Sequence, residues 1–471
     1  MAERCTREDG MSIFHRPADG IVGDVIPFYW QGLYHAFYLK APLPPRREGA
    51  FHTPWAHLVS RDLARWEEWP VAIGPGGPGD PDEISCFTGS VIEKDGLFYM
   101  FYTGFAGRDK PQTVCLATSE DLRSWHKDPR NPLIVADPRW YEAIDWRDPF
   151  PFWNEEAGEY WMLLAARELE GPDNRRGCLA LMTSPDLLEW TVQPPFWAPR
   201  LYYTHECPDL FRHKGQWVLV YSTFSERNIT HFRVSDSLAG PWLAPHNDGF
   251  DGRAYYAAKT AGDGRRRFVF AWDPTREGEQ DSGGWEWGGD MVVHEVTDDL
   301  GVKPVAALLE RFSDPRATRL VPHCGAWDTV NGAHRAAFDD GFSAARLGEL
   351  PHTAALGASI RCDAQTRSCG LLLRVDEALE KYYQVRWEPQ AGRIVFDRWP
   401  RPGDEPFILE RPLNDCEQLD LRVLVEGSVV VVYANDEVAL TCRMYDHAAG
   451  AWGLFVNEGQ ATFSNLSCAA G

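Results

Sequence analysis

Short runs in which apolar and polar residues alternate, rich in aromatic and β-branched side chains, recur along the chain as far as Phe312: LYHAFYL, LFYMFYTG, EYWMLLAAR, QWVLVYSTF and RRFVFAWD. A period of two is the mark of strands that bury one face, and each run follows a turn carrying Gly or charged residues. Extended helical periodicity is absent from this part, which disfavours an α/β barrel, since that fold needs a helix after every strand.

A second pattern is laid over the first. LVSRDLARWEEW, LATSEDLRSWHKD, LMTSPDLLEWTVQ, RVSDSLAGPWLAP and EVTDDLGVKP share a strand end, a small hydroxyl or carboxylate turn and a leucine. The leucines are Leu63, Leu122, Leu187, Leu238 and Leu300, a period of about 50–65 residues, in the range where repeats mean propeller blades. Five repeats predict five blades over residues 11–312, with the Pro- and Gly-rich segments APLPPRREG and IGPGGPGDPDE as loops on one face.

After Phe312 the repeat stops. SDPRATRLVPHCGAWDTVNG reads as a connector, residues 313–335. The strands that follow, among them GLLLRVD, KYYQVRW, GRIVFDRW and LDLRVLVEGSVVVVYAND, have turn signals about every 8–12 residues, as in a β-sandwich, residues 336–471. The predicted fold is all-β, a five-bladed β-propeller followed by a C-terminal β-sandwich. No clustered acid pair stands out in the second part, whose expected role is to pack against the propeller.

Length and charge narrow the function. The 471 residues suit one large domain and a smaller one. With 47 basic and 69 acidic residues the formal charge is -22, which repels nucleic acid and anionic membranes and is compatible with a small neutral carbohydrate. MAERCTREDGMSIFHRP has charges where a signal peptide needs an apolar stretch, and no run reaches the ~18 apolar residues of a membrane span. The 11 cysteines, without CxxC pairs, read as free thiols of a reducing compartment. The expected location is the cytoplasm, with a substrate small enough to be imported; oligomeric state stays open.

Three acids precede or open aromatic-rich strands in the first, third and fourth repeats: Asp24 in IVGDVIPFYW, Asp148 in DWRDPFPF and Glu206 in THECPDLF. The prolines close behind Asp148 and Glu206 would place these two at strand margins. Alone, each acid would read as a turn cap or a solvated residue. As a set on a propeller they can converge on one axis, and glycosidic cleavage needs one carboxyl group to protonate the leaving oxygen and another to attack or to activate water.

ECPDLF, the RDP triplet, FTGS and WAHLVSRDLARWEE resemble, in this order, the motifs of glycoside hydrolase family 32, the invertases, levanases, inulinases and fructosyltransferases. The resemblance covers nearly the whole chain. It implies Glu206 as general acid/base, Asp148 as a transition-state stabiliser holding sugar hydroxyls, and Asp24 as nucleophile of a retaining fructosidase. It also implies sugar contacts for Trp55, Phe87, Ser90, Tyr256 and Trp287, with Arg147 orienting an acid. The family's Asn-Asp-Pro-Asn-Gly segment is replaced here by Val-Gly-Asp-Val-Ile-Pro, and its Asp-Phe-Tyr-Ala segment has Ala254 in place of the Asp. These departures mark a divergent subgroup.

A retaining mechanism would set Asp24 and Glu206 about 5–5.5 Å apart, with donors keeping Asp24 ionised and an apolar wall or a second carboxylate keeping Glu206 protonated. Neither a metal nor a cofactor is required; His57, without a second ligand at suitable spacing, reads as a core residue and Cys207 as a small buried thiol. Three alternatives share the acids: a fructosyltransferase, an inverting arabinofuranosidase- or xylosidase-type propeller with carboxyls roughly 6.5–9.5 Å apart, and a sugar-binding propeller without catalysis.

Overall fold

A computed structural model describes residues 12–42, 52–401 and 409–471. APLPPRREG therefore lies, from residue 43 on, outside the described residues. Five antiparallel blades follow one another, and their innermost strands are Gly20–Trp30, Ser85–Lys94, Tyr141–Asn154, Glu206–His213 and Tyr256–Gly262. Each of these strands touches the next and the fifth touches the first, so the ring is closed. A single bridge, Val22 to Gly289, carries the ladder of the fifth blade into the first. The leading segment is tied to the fifth blade by the Met291 amide, which donates to the His15 carbonyl at 2.8 Å.

The repeated leucine turns close the third strand of each blade, and their chemistry explains the repetition. Ser60 Oγ accepts the Leu63 amide at 2.8 Å, while Asp62 Oδ1 accepts the amides of Ala64 and Arg65 at 2.9 Å each. Asp121 and Asp186 cap the second and third turns in the same way. Leu63, Leu122, Leu187 and Leu300 sit in the left-handed region, with φ of 66°, 60°, 74° and 62°. That conformation costs a non-glycine residue about 1–2 kcal/mol. Burying the side chains of Leu63, Leu122 and Leu187 recovers about 1.5–3 kcal/mol each, while Leu300 is partly buried. The fourth turn differs: Leu238 keeps an ordinary φ and Gly240, at 82°, takes the left-handed position instead.

The sandwich is organised by one long strand, Ala451–Ala470. Its first half pairs with Ser368–Val375, its second half with Thr353–Cys362, and Ala333–Glu349 runs along much of its other edge. The expected connector is not a bare linker. Asp314–Pro315, Val321–Cys324 and Trp327–Val330 are short strands paired to the long strand or to Ala333–Glu349.

The continuous apolar run Val429–Ala434 is buried on both sides. Val429, Val431 and Tyr433 join the core of the propeller's fifth and first blades, whereas Val430, Val432 and Ala434 join the sandwich core. Alternation is lost from the sequence there because both faces of the strand meet protein. The second part of the chain thus packs against the propeller. Among the described residues no helix is long and apolar enough to cross a membrane, and all ten described cysteines are free.

Candidate active site

The five innermost strands break their ladders at one level. Register shifts fall between Val22 and Val25, Phe87 and Gly89, Glu206 and Asp209, and Tyr256 and Lys259, and beside Asp148 in the third blade. Asp148, Cys207 and Ala257, in three successive blades, adopt φ of 61°, 50° and 57°. A bulge leaves one residue out of the ladder and re-aims its side chain. Asp148 therefore lies inside its strand rather than at a margin, and Pro149, which has no amide hydrogen to donate, falls at the break.

Asp24, Thr88, Asp148, Cys207 and Tyr256, at these bulges, line one cavity of about 510 Å³ at the propeller axis. Asp24 receives the Trp272 indole N–H on Oδ1 at 2.9 Å and the Thr88 hydroxyl on Oδ2, with the Cys207 thiol 3.7 Å from Oδ2. Asp148 accepts the Cys207 amide on Oδ2 at 2.8 Å, and its own amide donates to Thr103 Oγ1 at 2.8 Å. Glu206 is met by Arg147 Nη2 at 2.9 Å on Oε1 and by the Tyr256 hydroxyl at 2.5 Å on Oε2. Donors meet both oxygens of that carboxylate, and of the two expected surroundings, an apolar wall or a second carboxylate, the neighbouring Asp148 and Asp24 supply the second. Arg147 is held in turn by Asp145 Oδ1 at 2.5 Å and Gln112 Oε1 at 3.1 Å, and the bulge lets both Arg147 and Asp148 face the cavity although they are adjacent in sequence.

Of the other residues expected at the site, Phe87, Arg147, Tyr256 and Trp287 line the cavity. The tip of the Trp287 indole packs against Gly23, where a Cβ would meet it at 2.1 Å, so a side chain at the residue before Asp24 would displace the indole. Trp55 and Ser90 do not line the cavity. Trp55 is fully buried in the blade with its Nε1 donating to the Phe87 carbonyl at 3.1 Å, and the Ser90 hydroxyl donates to the Gly89 carbonyl at 2.7 Å. His57 is a core residue stacked 4.0 Å from Phe37, and burial holds its ring far below the usual pKa, at about 2. Thr88, Asp145, Trp272 and Glu286 line the cavity and were not singled out from sequence. Thr88 sits inside the quoted FTGS motif, the one signal that pointed near it.

Burial dominates the electrostatics. It pushes the Asp24 carboxyl up, against the Thr88 and Trp272 donors and with the help of the Glu206 charge. Asp148 is pushed to about 7, by burial first, opposed by Arg147 and reinforced by Glu206 and Asp24. A carboxyl raised in the folded state adds stability that is full below its unfolded pKa of about 4 and is lost as pH rises through about 7. Asp148→Asn is therefore expected to raise Tm relative to the parent at pH 8 and to lose that advantage near pH 4.5. Thermal melts at both pH values check this; a pH-independent difference would count against the linkage.

A closed five-bladed ring with three carboxylates from three blades in one cavity is the arrangement that a glycoside hydrolase requires. The comparisons carry this to a family. Glycosyl hydrolases family 32 N-terminal domain matches residues 17–294, and Glycosyl hydrolases family 32 C terminal matches residues 332–470. The chain belongs to glycosyl hydrolases family 32. It is 29% identical to a raffinose invertase of Escherichia coli over 454 residues, covering 89% of this chain and 86% of that protein. With a sucrose-6-phosphate hydrolase of Escherichia coli the identity is 30% over 467 residues, covering 92% and 88%. In fold it is similar to a sucrose-6-phosphate hydrolase from Lactobacillus gasseri, with a TM-score of 0.75, 19% identity and coverage of 98% and 92%. A β-fructofuranosidase of Aspergillus kawachii gives 0.77, 18%, 98% and 94%.

Proposed function

We propose that this glycoside hydrolase is a retaining β-fructofuranosidase acting on a small, unphosphorylated fructoside. The reading rests on one observation: each of the three expected acids, from three different blades, is held in the cavity by a separate set of donors. In this reading the Asp24 carboxylate attacks the anomeric carbon of the fructosyl ring while Glu206 delivers its proton to the leaving oxygen, so the glycosidic bond breaks as the acylal ester to Asp24 forms. Glu206, now ionised, then takes a proton from water, whose oxygen displaces Asp24 and restores the anomeric configuration. Asp148 accepts sugar hydroxyls beside the oxocarbenium-like centre. Phe87, Tyr256 and Trp287 face the apolar side of the ring.

Charge supports a neutral substrate. Asp24, Asp145, Asp148, Glu206 and Glu286 line the cavity against Arg147, and that guanidinium is engaged by Asp145 and Glu206. A phosphate would meet repulsion without a free cation among these lining residues. Product analysis tests both parts. Fructose is expected from sucrose, with kcat/KM at least about tenfold lower for sucrose 6-phosphate, a penalty of about 1.4 kcal/mol. Arabinose released from an aryl arabinofuranoside, with no fructose from sucrose, would sink the assignment; a preference for the phosphorylated sugar would sink the charge argument. A propeller of 11–312 and a sandwich of 336–471 are the working boundaries of this reading. Cytoplasmic location goes with it, supported by the absence of disulfides among the described cysteines.

A further inference from the structure

The wall of the cavity nearest Asp24 is built by one hairpin of the fifth blade. Trp272 lies within its rising strand, Arg267–Arg276, and Trp285, Glu286 and Trp287 open its returning strand, all four lining the cavity. The turn between, residues 277–284, projects away from the ladder and buries a charged side chain: Asp281 is 0% exposed. The Arg276 guanidinium of the same hairpin lies near that carboxylate but bonds the Asp281 backbone carbonyl. The carboxylate's partners come from the sandwich. Oδ2 accepts the Tyr383 hydroxyl at 2.6 Å and Arg398 Nη1 at 3.0 Å, Oδ1 accepts the Tyr445 amide at 2.9 Å, and the Asp281 amide donates to Asp446 Oδ1 at 3.0 Å.

From this anchor a short chain of contacts reaches the wall. The Asp281 carbonyl accepts Arg276 Nη1 at 2.5 Å, and the Arg276 guanidinium lies 3.8 Å from the ring centre of Trp285. Glu286 is held from the rising strand by the Thr275 hydroxyl at 2.8 Å. The base of the same hairpin is gripped too. Arg443, from the sandwich, ion-pairs Asp273 and Asp290 at 2.6 Å each and donates to the Asp273 carbonyl at 2.6 Å, an approach possible because residue 289 is glycine. A buried charge without its partners is costly, so the hairpin has one low-energy position, and the sandwich defines it.

We propose that Asp281, clamped by Tyr383, Arg398 and Asp446, is a positioning residue through which the sandwich sets the Trp285–Trp287 wall over Asp24, and thereby the affinity for the fructosyl ring. The substrate part of this inference rests on the proposed function; the structural part does not. A wall displaced by 1 Å weakens orientation of bound sugar without removing a reacting group.

The test uses the full chain with Asp281→Asn, Tyr383→Phe and Arg398→Lys. Hydrogen exchange over 276–288 is expected to speed up about tenfold in Asp281→Asn and less in Tyr383→Phe, with the inner strands of the other blades unchanged. KM for sucrose is expected to rise about tenfold in Asp281→Asn with kcat within about threefold, and Arg398→Lys, which keeps the charge, to retain most of the affinity. Unchanged exchange in the hairpin, or faster exchange with an unchanged KM, overturns the proposal. Should Asp281→Asn not fold, the isosteric Tyr383→Phe decides by the same two readouts. A parent enzyme that ignores sucrose would defeat the proposed function, while the exchange data would still judge the clamp.

Discussion

Asp24→Asn is expected to lower kcat on sucrose by about 10⁴-fold or more while leaving Tm at or above that of the parent. The amide fills the space of the carboxylate, and its oxygen still accepts the Trp272 N–H while the Thr88 hydroxyl turns to accept from the amide nitrogen. What is lost is the negative charge that, in the proposed mechanism, forms the bond to the anomeric carbon. Because burial already disfavours that charge, neutralising it removes a cost to folding. Single-turnover kinetics beside a thermal melt separate the two effects. Residual turnover within about 100-fold of the parent would exclude Asp24 as nucleophile.

Glu206→Gln is expected to cost about 10²–10⁴-fold in kcat on sucrose, the range of a positioned general acid. The loss should depend on the leaving group. With fructosyl fluoride, whose fluoride departs without protonation, formation of the fructosyl-enzyme should be affected at least about tenfold less than with sucrose, and water attack should become the slow step. Pre-steady-state product bursts read this directly. Equal losses on both substrates would mean that Glu206 holds the sugar without transferring a proton. The contacts of Arg147 with Asp145 and Gln112 remain in the variant, so the guanidinium stays in place.

The features legible in sequence are those that chemistry forces to recur. In the first three turns a leucine held at positive φ is capped by the carboxylate of Asp62, Asp121 or Asp186, and the two later turns keep the leucine and the spacing, so the turns recur and announce five blades. The acids were legible through the motifs around them. Their neighbours were less so. In a regular strand the face of each residue follows from its parity, but a bulge changes that parity by one, and every inner strand has a bulge at the cavity. Thr88 thereby reaches Asp24, while Ser90, two positions on, turns to the blade, and Trp55 stays in the core.

Long-range pairing was the other hidden layer. Trp272 meets Asp24 across 248 positions, and Asp281 meets Arg398 across 117, contacts that no local pattern encodes. Alternation, repeat spacing and the ordered motifs by themselves determined the strand-built propeller, the sandwich behind it, the three acids and the family, because each depends on residues close together in the chain. The tertiary structure alone decided which side chains enter the cavity, what holds each carboxylate, and that the sandwich grips the hairpin forming the cavity's wall, because those follow from bulges that re-aim single residues and from buried charges that must find partners wherever the fold brings them.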